Sequence, residues 1–379
     1  MSKRESRMKV DNQQEEGEHK RPSQWQMMRR KFLRNKLAVG GGTVVLFFYI
    51  VMVIFPGFFA THNFIKQNPD FLYAPPQSLH FVDEEGNFHF RPFFYGIKSR
   101  LDPETYSWVY VTDKSKRYPL KFFVQGHEYE LAGLFKTDIH LFGTDKGDVP
   151  FFLLGTDRLG RDLYSRILQG GRISLTVGLV GVILTIILGS VLGTASGYFG
   201  GMIDNVMQRT GEVLLSFPQI PLWAALAAAL PPDWSPIKTF FAISIILSLR
   251  NWVGLARQVR GKVLSYREEE FTMAAQAAGA SNWRIIRRHM LPNALSHIIV
   301  IATLSIPWMI LSETSLSFLG LGIRPPMTSW GVLLQGAQKV SVVTSHPWLM
   351  VPGIFVVVAV LAFNFLGDGI RDAADPFSQ

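Results

Sequence analysis

The side chains able to do acid–base or ligand chemistry are dispersed along the 379-residue chain in ways that argue against catalysis. His62, His80, His89, His127 and His140 are scattered between two apolar stretches. The run HEYE at 127–130 lacks the second histidine that a zinc-hydrolase helix places four residues on. No Ser–His–Asp grouping follows from spacing, so surface or packing roles are expected for the histidines. The absence of cysteine excludes disulfides, thiolate zinc ligands and a thiol nucleophile. GTDRLGRD at 155–162 is not a phosphate-binding loop, because no Gly-Lys-Ser/Thr follows it. Its Asp157, Arg158, Arg161 and Asp162 read either as a charge network capping the outer end of an apolar span or as a substrate contact. Glu313 is an ionisable group in apolar surroundings. It faces a bundle interior or aqueous path, or it sits at headgroup level near a helix end.

The most informative run is YREEEFTMAAQAAGASNWRIIRRHMLPN, from Tyr266 to Asn293. Phe271 to Ala278 should be helical, since alanine is the best helix former and three glutamates precede it where a helix N-terminus favours negative charge. Ala274, Ala275, Ala277 and Ala278 leave one side nearly bare, so another backbone or a groove can approach. Gly279 is expected to end this helix in the left-handed conformation, and Ser281 to cap a second, basic helix over 282–290 that Pro292 stops. The product is either a docking knob with a small-residue face and a basic rim, or a helical hairpin that only connects its neighbours.

The elements that hold these residues are membrane spans. The chain is 48% hydrophobic with a mean hydropathy of +0.17, and its apolar residues are bunched. Ile173 to Ile203 contains no Asp, Glu, Lys or Arg, and Leu37–Phe59, Val213–Leu230 and Trp348–Gly367 are similarly apolar. A bilayer core about 30 Å thick takes about 20 helical residues, so each can cross it. Six spans are expected, at about 37–59, 173–196, 206–230, 237–256, 294–314 and 347–367. The net charge of +9 points to a membrane and not to nucleic acid, because the basic residues cluster beside the spans. Arg257, Arg260, Lys262, Arg267, Arg284, Arg287 and Arg288 fall in one loop, 257–293, while the connections 231–236 and 315–346 carry little beyond Arg324 and Lys339. That asymmetry places both termini in the cytoplasm. Arg250 falls about two turns before the inner end of the fourth span and is expected to snorkel inward. Pro307 mid-span, and Pro218 and Pro221 in the third span, allow kinks.

Residues 1–36 read as a polar cytoplasmic tail that leads into a basic amphipathic helix from Trp25. Arg29, Arg30, Lys31, Arg34 and Lys36 are placed at the lipid surface. Residues 37–59 form the first span, and 60–160 an extracytoplasmic insert. Residues 161–372 hold the remaining five spans, and 373–379 a cytoplasmic tail. The insert is rich in aromatics and proline with alternating polarity, which argues for a small β-rich domain. EEGN (84–87) and VQGH (124–127) look like its hairpin turns.

The 266–293 run resembles the E-A-A loop of ABC importer permeases, with Ala274, Ala275, Gly279, Leu291 and Pro292 at matching positions, Met273 replacing the glutamate and His289 the isoleucine. LLGTDRLGRDLYSRILQGGRISL (153–175), SGYFGGMIDNVMQR (196–209), LSFLGLGIRPPMTSWGVLL (316–334) and FLGDGIRDAADP (365–376) resemble the second permease of dipeptide and oligopeptide importers. The resemblance implies an all-α polytopic membrane protein of the type I ABC importer permease class, with six transmembrane helices and the β-rich insert between helices 1 and 2. It implies a bacterial inner-membrane location and coupling to ATPases through Glu270, Ala274, Ala275, Gly279, Ala280, His289, Leu291 and Pro292. The implied partners are a homologous permease, two ATPase subunits and an extracytoplasmic solute-binding protein. The chain itself would hold no cofactor, ATP and Mg²⁺ being bound by the ATPases. Asp157, Arg161, Asp162 and Glu313 stand as turn or gate candidates on the outer side. The rival readings are a secondary transporter or channel, which needs coordinating groups near the mid-plane, and a membrane-anchored sensing module built on the insert.

Overall fold

The structure is a computed structural model that describes residues 24–101, 103, 108–144 and 149–374. The expected tails, up to residue 23 and from 375, lie outside the described residues. The basic helix is α1, Gln24–Arg34, and Asn35 then caps α2, Lys36–Ile54, by accepting from the Ala38 N–H at 3.2 Å. The last six residues of α2, from Tyr49, form π-type turns; the chain breaks at Phe55 and resumes as a single turn, α3, Pro56–Phe59.

Among the described residues, alternating polar and apolar positions then build five strands in two separate sheets. β1 (His80–Val82), β2 (Phe88–Leu101) and β3 (Trp108–Pro119) pair antiparallel in sequence order. β4 (Lys121–Leu131) and β5 (Phe135–Gly143) form a hairpin of their own. EEGN is a turn, between β1 and β2, with Gly86 at φ +84°. VQGH is not: it lies inside β4, and the turn falls instead at Ala132 and Gly133. Gly126 is needed for a different reason, since a Cβ there would lie 2.5 Å from the His140 ring.

The membrane part follows. α4 runs from Leu163 to Phe199, and its 37 residues span about 55 Å at 1.5 Å each, well beyond a bilayer core. It begins ten residues before the expected start of the second span because Asp162 caps it, its carboxylate accepting from the Ser165 N–H at 2.8 Å. A single left-handed residue, Gly200, separates α4 from α5, Gly201–Ser216. α6, Gln219–Ala228, follows at 87° to α5, so the expected span 206–230 is sharply bent, at one of the two prolines that allowed a kink. The cause is local: Pro218 forces Phe217 into the extended region (ψ 135°) and withholds the next N–H.

α7, Pro236–Arg267, continues eleven residues past the expected end of the fourth span. The Arg250 guanidinium donates to Gln219 Oε1 at 2.9 Å, at the α5–α6 break. α8 is Glu270–Ala277 and α9 is Asn282–Phe318, which runs through Pro307. α10 (Trp330–Gln335) and α11 (Val340–Ser345) are short, and α12, Pro347–Ala374, closes the chain. Among the described residues, five helices are long and apolar enough to cross a membrane, or six if the bent pair α5–α6 counts as one span.

Two of the apolar clusters in the bundle are large. One gathers Phe48, Met52, Leu163, Ile167, Leu175, Ile310, Trp330 and Phe363; the other Val177, Trp223, Ile243, Leu247, Met309 and Leu316. Lipid is as apolar as these side chains, so close van der Waals contact and not burial itself selects the arrangement. Gly189, Gly193 and Gly197, four residues apart on α4, let α7 approach to backbone distance: Cβ atoms built on them would lie 2.8 Å from Leu255, 2.5 Å from Ala256 O and 2.8 Å from Arg260 O. Backbone cannot swing aside. Gly193→Ala is therefore expected to cost about 1–3 kcal/mol by overpacking, read as a lower unfolding midpoint in detergent. Gly254→Ala on an open face of α7 should not lower it.

Candidate functional site

The loop singled out in the sequence is a compact two-helix knob. α8 starts one residue earlier than expected and ends in a Schellman motif: the Gly279 N–H donates to Gln276 O at 2.9 Å and the Ala280 N–H to Ala275 O at 3.0 Å. Gly279 has φ +75°, as its position requires. Ser281 Oγ then accepts from the Arg284 N–H at 3.4 Å and caps α9. Pro292 does not stop this second helix. Residues Ile286–Met290 form a π-type turn, whose wider bore passes the proline ring, and Asn293 Nδ2 donates to the His289 carbonyl at 2.7 Å. The knob is thereby continuous with the α9 span.

Its surface divides sharply. Glu270, Ala274, Gly279 and Pro292 are exposed, and so are Met273 at 52% and Trp283 at 67%. Ala275, Ala280 and Leu291 turn inward onto a cluster of Tyr198, Val259, Val263, Ile285 and Met290. His289 is half-buried, its ring 6.2 Å from that of Phe271. Of the eight residues expected at this loop, then, three pack inward and hold the knob in place, while Glu270, Ala274, Gly279 and Pro292 form its outer surface.

A polar clamp that the sequence reading missed ties the knob to two spans. Arg260 on α7 donates to both carboxylate oxygens of Asp204 on α5, Nε at 2.7 Å and Nη2 at 2.6 Å, and Ser196 Oγ of α4 donates to Asp204 at 2.5 Å. Such a two-point guanidinium–carboxylate pair fixes orientation as well as distance. Tyr198 Oη donates to Asn282 Oδ1 at 2.9 Å, Tyr266 Oη to Asn293 O at 3.2 Å, and Thr272 Oγ1 to Tyr266 O at 2.7 Å. The available signal was an acid just after two glycines in SGYFGGMIDN; Arg260 read only as one charge among many. At the same end of the molecule, a cavity of ≈ 980 Å³ is lined by Met27, Lys31, Lys262, Tyr266, His297 and Arg371, so α1 and the end of α12 lie beside the knob.

At the opposite end of α4 the GTDRLGRD segment is a turn and helix cap built almost wholly inside the protein. Asp157 Oδ1 accepts from the Leu159 and Arg161 N–H groups at 2.8 and 3.1 Å. Its Oδ2 meets Arg161 at 2.7 Å and the buried Arg166 at 3.0 Å. Arg166 also donates to Thr328 Oγ1 at 3.2 Å, and Asp162 accepts from Thr61 Oγ1 at 3.3 Å. Asp157 is 9% exposed and Asp162 1%. One small cluster thus joins the start of the insert, α4 and the segment before α10.

Glu313 on α9 is fully buried, and its partners are hydroxyls. Ser174 of α4 donates at 2.8 Å and Ser317 at 2.7 Å. Ser174 Oγ in turn accepts from the Trp330 N–H and Ser317 Oγ from the Ile323 N–H, both at 3.2 Å. The carboxyl therefore stitches α4, α9 and α10 together inside the bundle. Glu313→Gln keeps one acceptor oxygen and turns an NH2 donor toward the other hydroxyl, which can accept from it, and is expected to fold. Glu313→Leu should cost about 1–3 kcal/mol through unsatisfied polar groups, read as a fall in monodisperse protein after extraction.

The sequence family described as binding-protein-dependent transport system inner membrane component matches residues 176–378. The N-terminal TM domain of oligopeptide transport permease C matches residues 23–76. The two stretches bracket residues 77–175, which hold all five strands. The dipeptide transport system permease protein of Alkalihalophilus pseudofirmus is 44% identical over 223 residues, 59% of this chain and 71% of that protein. The oligopeptide transport system permease protein of Haemophilus influenzae is 42% identical over 228 residues, 60% of this chain and 70% of its own length. Among solved structures, the MetNI methionine ABC transporter in an inward-facing form is similar with a TM-score of 0.45 and 19% identity, over 55% of this chain and 96% of that one. With more than half its length matched by one family and relatives above 40% identity, the chain belongs to the binding-protein-dependent transport system inner membrane components and is a membrane permease.

Proposed function

We propose that this chain is one of two related permease subunits of an ATP-driven peptide importer in a bacterial inner membrane, with the type I permease architecture and both termini in the cytoplasm. The relatives named as dipeptide and oligopeptide permeases support the cargo class. Two ATPase subunits bind ATP and Mg²⁺, and an extracytoplasmic binding protein delivers the peptide.

The single observation that carries the coupling is the exposed knob, α8 and the start of α9, locked to its own spans. An ATPase groove that receives Ala274, Met273 and the Gly279 bend grips a body with little freedom of its own. Arg260–Asp204, Tyr198–Asn282 and the inward-facing Ala275 and Ala280 pass its displacement to α4, α5 and α7. The π-type turn at Ile286–Met290 passes it directly along α9. ATP-driven closure of the ATPases thereby moves the spans from inward-facing to outward-facing, and hydrolysis resets them. Met273 gives the contact an apolar side chain where the resembling loops carry glutamate, and Glu268, Glu269 and Glu270 supply the negative charge beside it.

Uptake into vesicles should require the complete set of subunits and ATP; uptake that persists without the ATPases overturns the reading. Gly279→Pro is expected to abolish co-purification of the ATPases while membrane insertion is unchanged. Proline holds φ near −65° and cannot adopt the +75° of the bend. Unaltered co-purification counts against the docking role.

A further inference from the structure

The insert carries two turns of opposite character. Between β1 and β2 the turn is polar, Glu84-Glu85-Gly86-Asn87, and Asp83 closes it by accepting from the Glu85 and Asn87 N–H groups at 3.1 and 2.8 Å. His89, Asn87 and Arg117 hold the Asp83 carboxyl well below the usual carboxylate range. Between β4 and β5 the run is Leu131-Ala132-Gly133-Leu134-Phe135, without one polar side chain. Ala132 at φ +52° and Gly133 at φ +72° make a two-residue turn, with the Leu134 N–H donating to Leu131 O at 3.0 Å. Asparagine or aspartate is the favoured residue before glycine in such turns. Alanine forgoes that advantage and removes a polar group from the tip. Leu134 is 76% exposed and Phe135 69%.

The position of this hairpin says what covers the tip. Its base lies over α4, where the Phe142 ring is 5.8 Å from that of Tyr164. Its middle lies across the end of α2: His140 Nδ1 is 2.8 Å from Gly57 O, the Tyr129 ring abuts Gly57, and the Phe123 ring is 6.4 Å from that of Phe58. Gly57 and Phe58 follow the last residue of α2, Ile54, by three and four positions. From His140 the strand runs outward for five more residues, about 16 Å at 3.3 Å each, before reaching Phe135. A path that starts over α4 and crosses α2 leaves the bundle, since α2 packs on α4 and α12 and exposes Leu46, Phe47, Ile50 and Ile54 on its free side.

We propose that the β4–β5 turn is an interfacial anchor: Leu131, Leu134 and Phe135 enter the headgroup region of the bilayer leaflet adjoining the insert. Glu130 and Lys136 face each other across the strands immediately behind the tip and keep their charges on the water side of it. The anchor holds the insert against the membrane at the outer end of α2. It rests on the membrane spans alone and not on the importer reading.

The chain has no cysteine, so Leu134→Cys and Glu85→Cys each supply a sole thiol at an exposed turn. Each variant is labelled with an environment-sensitive fluorophore and reconstituted as the full chain in phosphatidylethanolamine–phosphatidylglycerol vesicles. At position 134 the emission should shift to the blue and be quenched by nitroxides on lipid headgroups but not by aqueous iodide. At position 85 the reverse is expected. Iodide quenching at 134 equal to that at 85 overturns the proposal. Shielding of 134 from both quenchers overturns it too, because a protein partner and not lipid then covers the tip.

Discussion

Everything at the end of the bundle that carries the knob depends on how closely α4 and α7 approach. Inside a bilayer, apolar side chains gain little by leaving lipid for protein, so a helix pair is specified by contact distance and by the hydrogen bonds that distance permits. Gly189, Gly193 and Gly197 bring α4 to the backbone of α7 at Ala256 and Arg260. Once the two are that close, Arg260 meets Asp204, and the far ends of both helices stand together at Tyr198 and Tyr266. Those two tyrosines are the posts on which the knob is mounted.

The opposite end of the same long helix is organised by charge and not by small residues. Asp162 supplies the cap that starts α4, and Asp157 with Arg161 and Arg166 fastens that start to the segment before α10. Buried ion pairs of this kind are weak sources of stability but strong sources of register, because removing one partner leaves a charge uncompensated. Between the two ends, Glu313 and its serine partners link α4 to α9 and α10. A displacement applied at the knob thus enters a helix that is constrained along its whole length, a condition for transmitting it to the far side.

The residue pattern made much of this legible. The alanine run followed by glycine and serine announced two short helices with a left-handed bend, since each signal is local: propensity, a positive φ and a cap. Apolar runs free of charge announced the spans for the same reason. What the pattern misjudged were cases where a distant partner altered a local rule. Pro292 reads as a stop until a π-type turn accommodates it. Gly126 reads as a turn until the ring of His140 occupies the space its missing side chain leaves.

The sequence by itself determined that this is a polytopic membrane protein, which run forms its basic loop and how that loop bends, because hydropathy, capping and backbone preference act within a few residues. Only the tertiary structure decided which face of the loop is free and which is committed to the bundle. It alone joined Arg260 to Asp204, 56 residues apart in sequence, and set Glu313 among hydroxyls. These are pairings across helices, and nothing in the spacing of one chain encodes which side chains two packed helices bring to bonding distance.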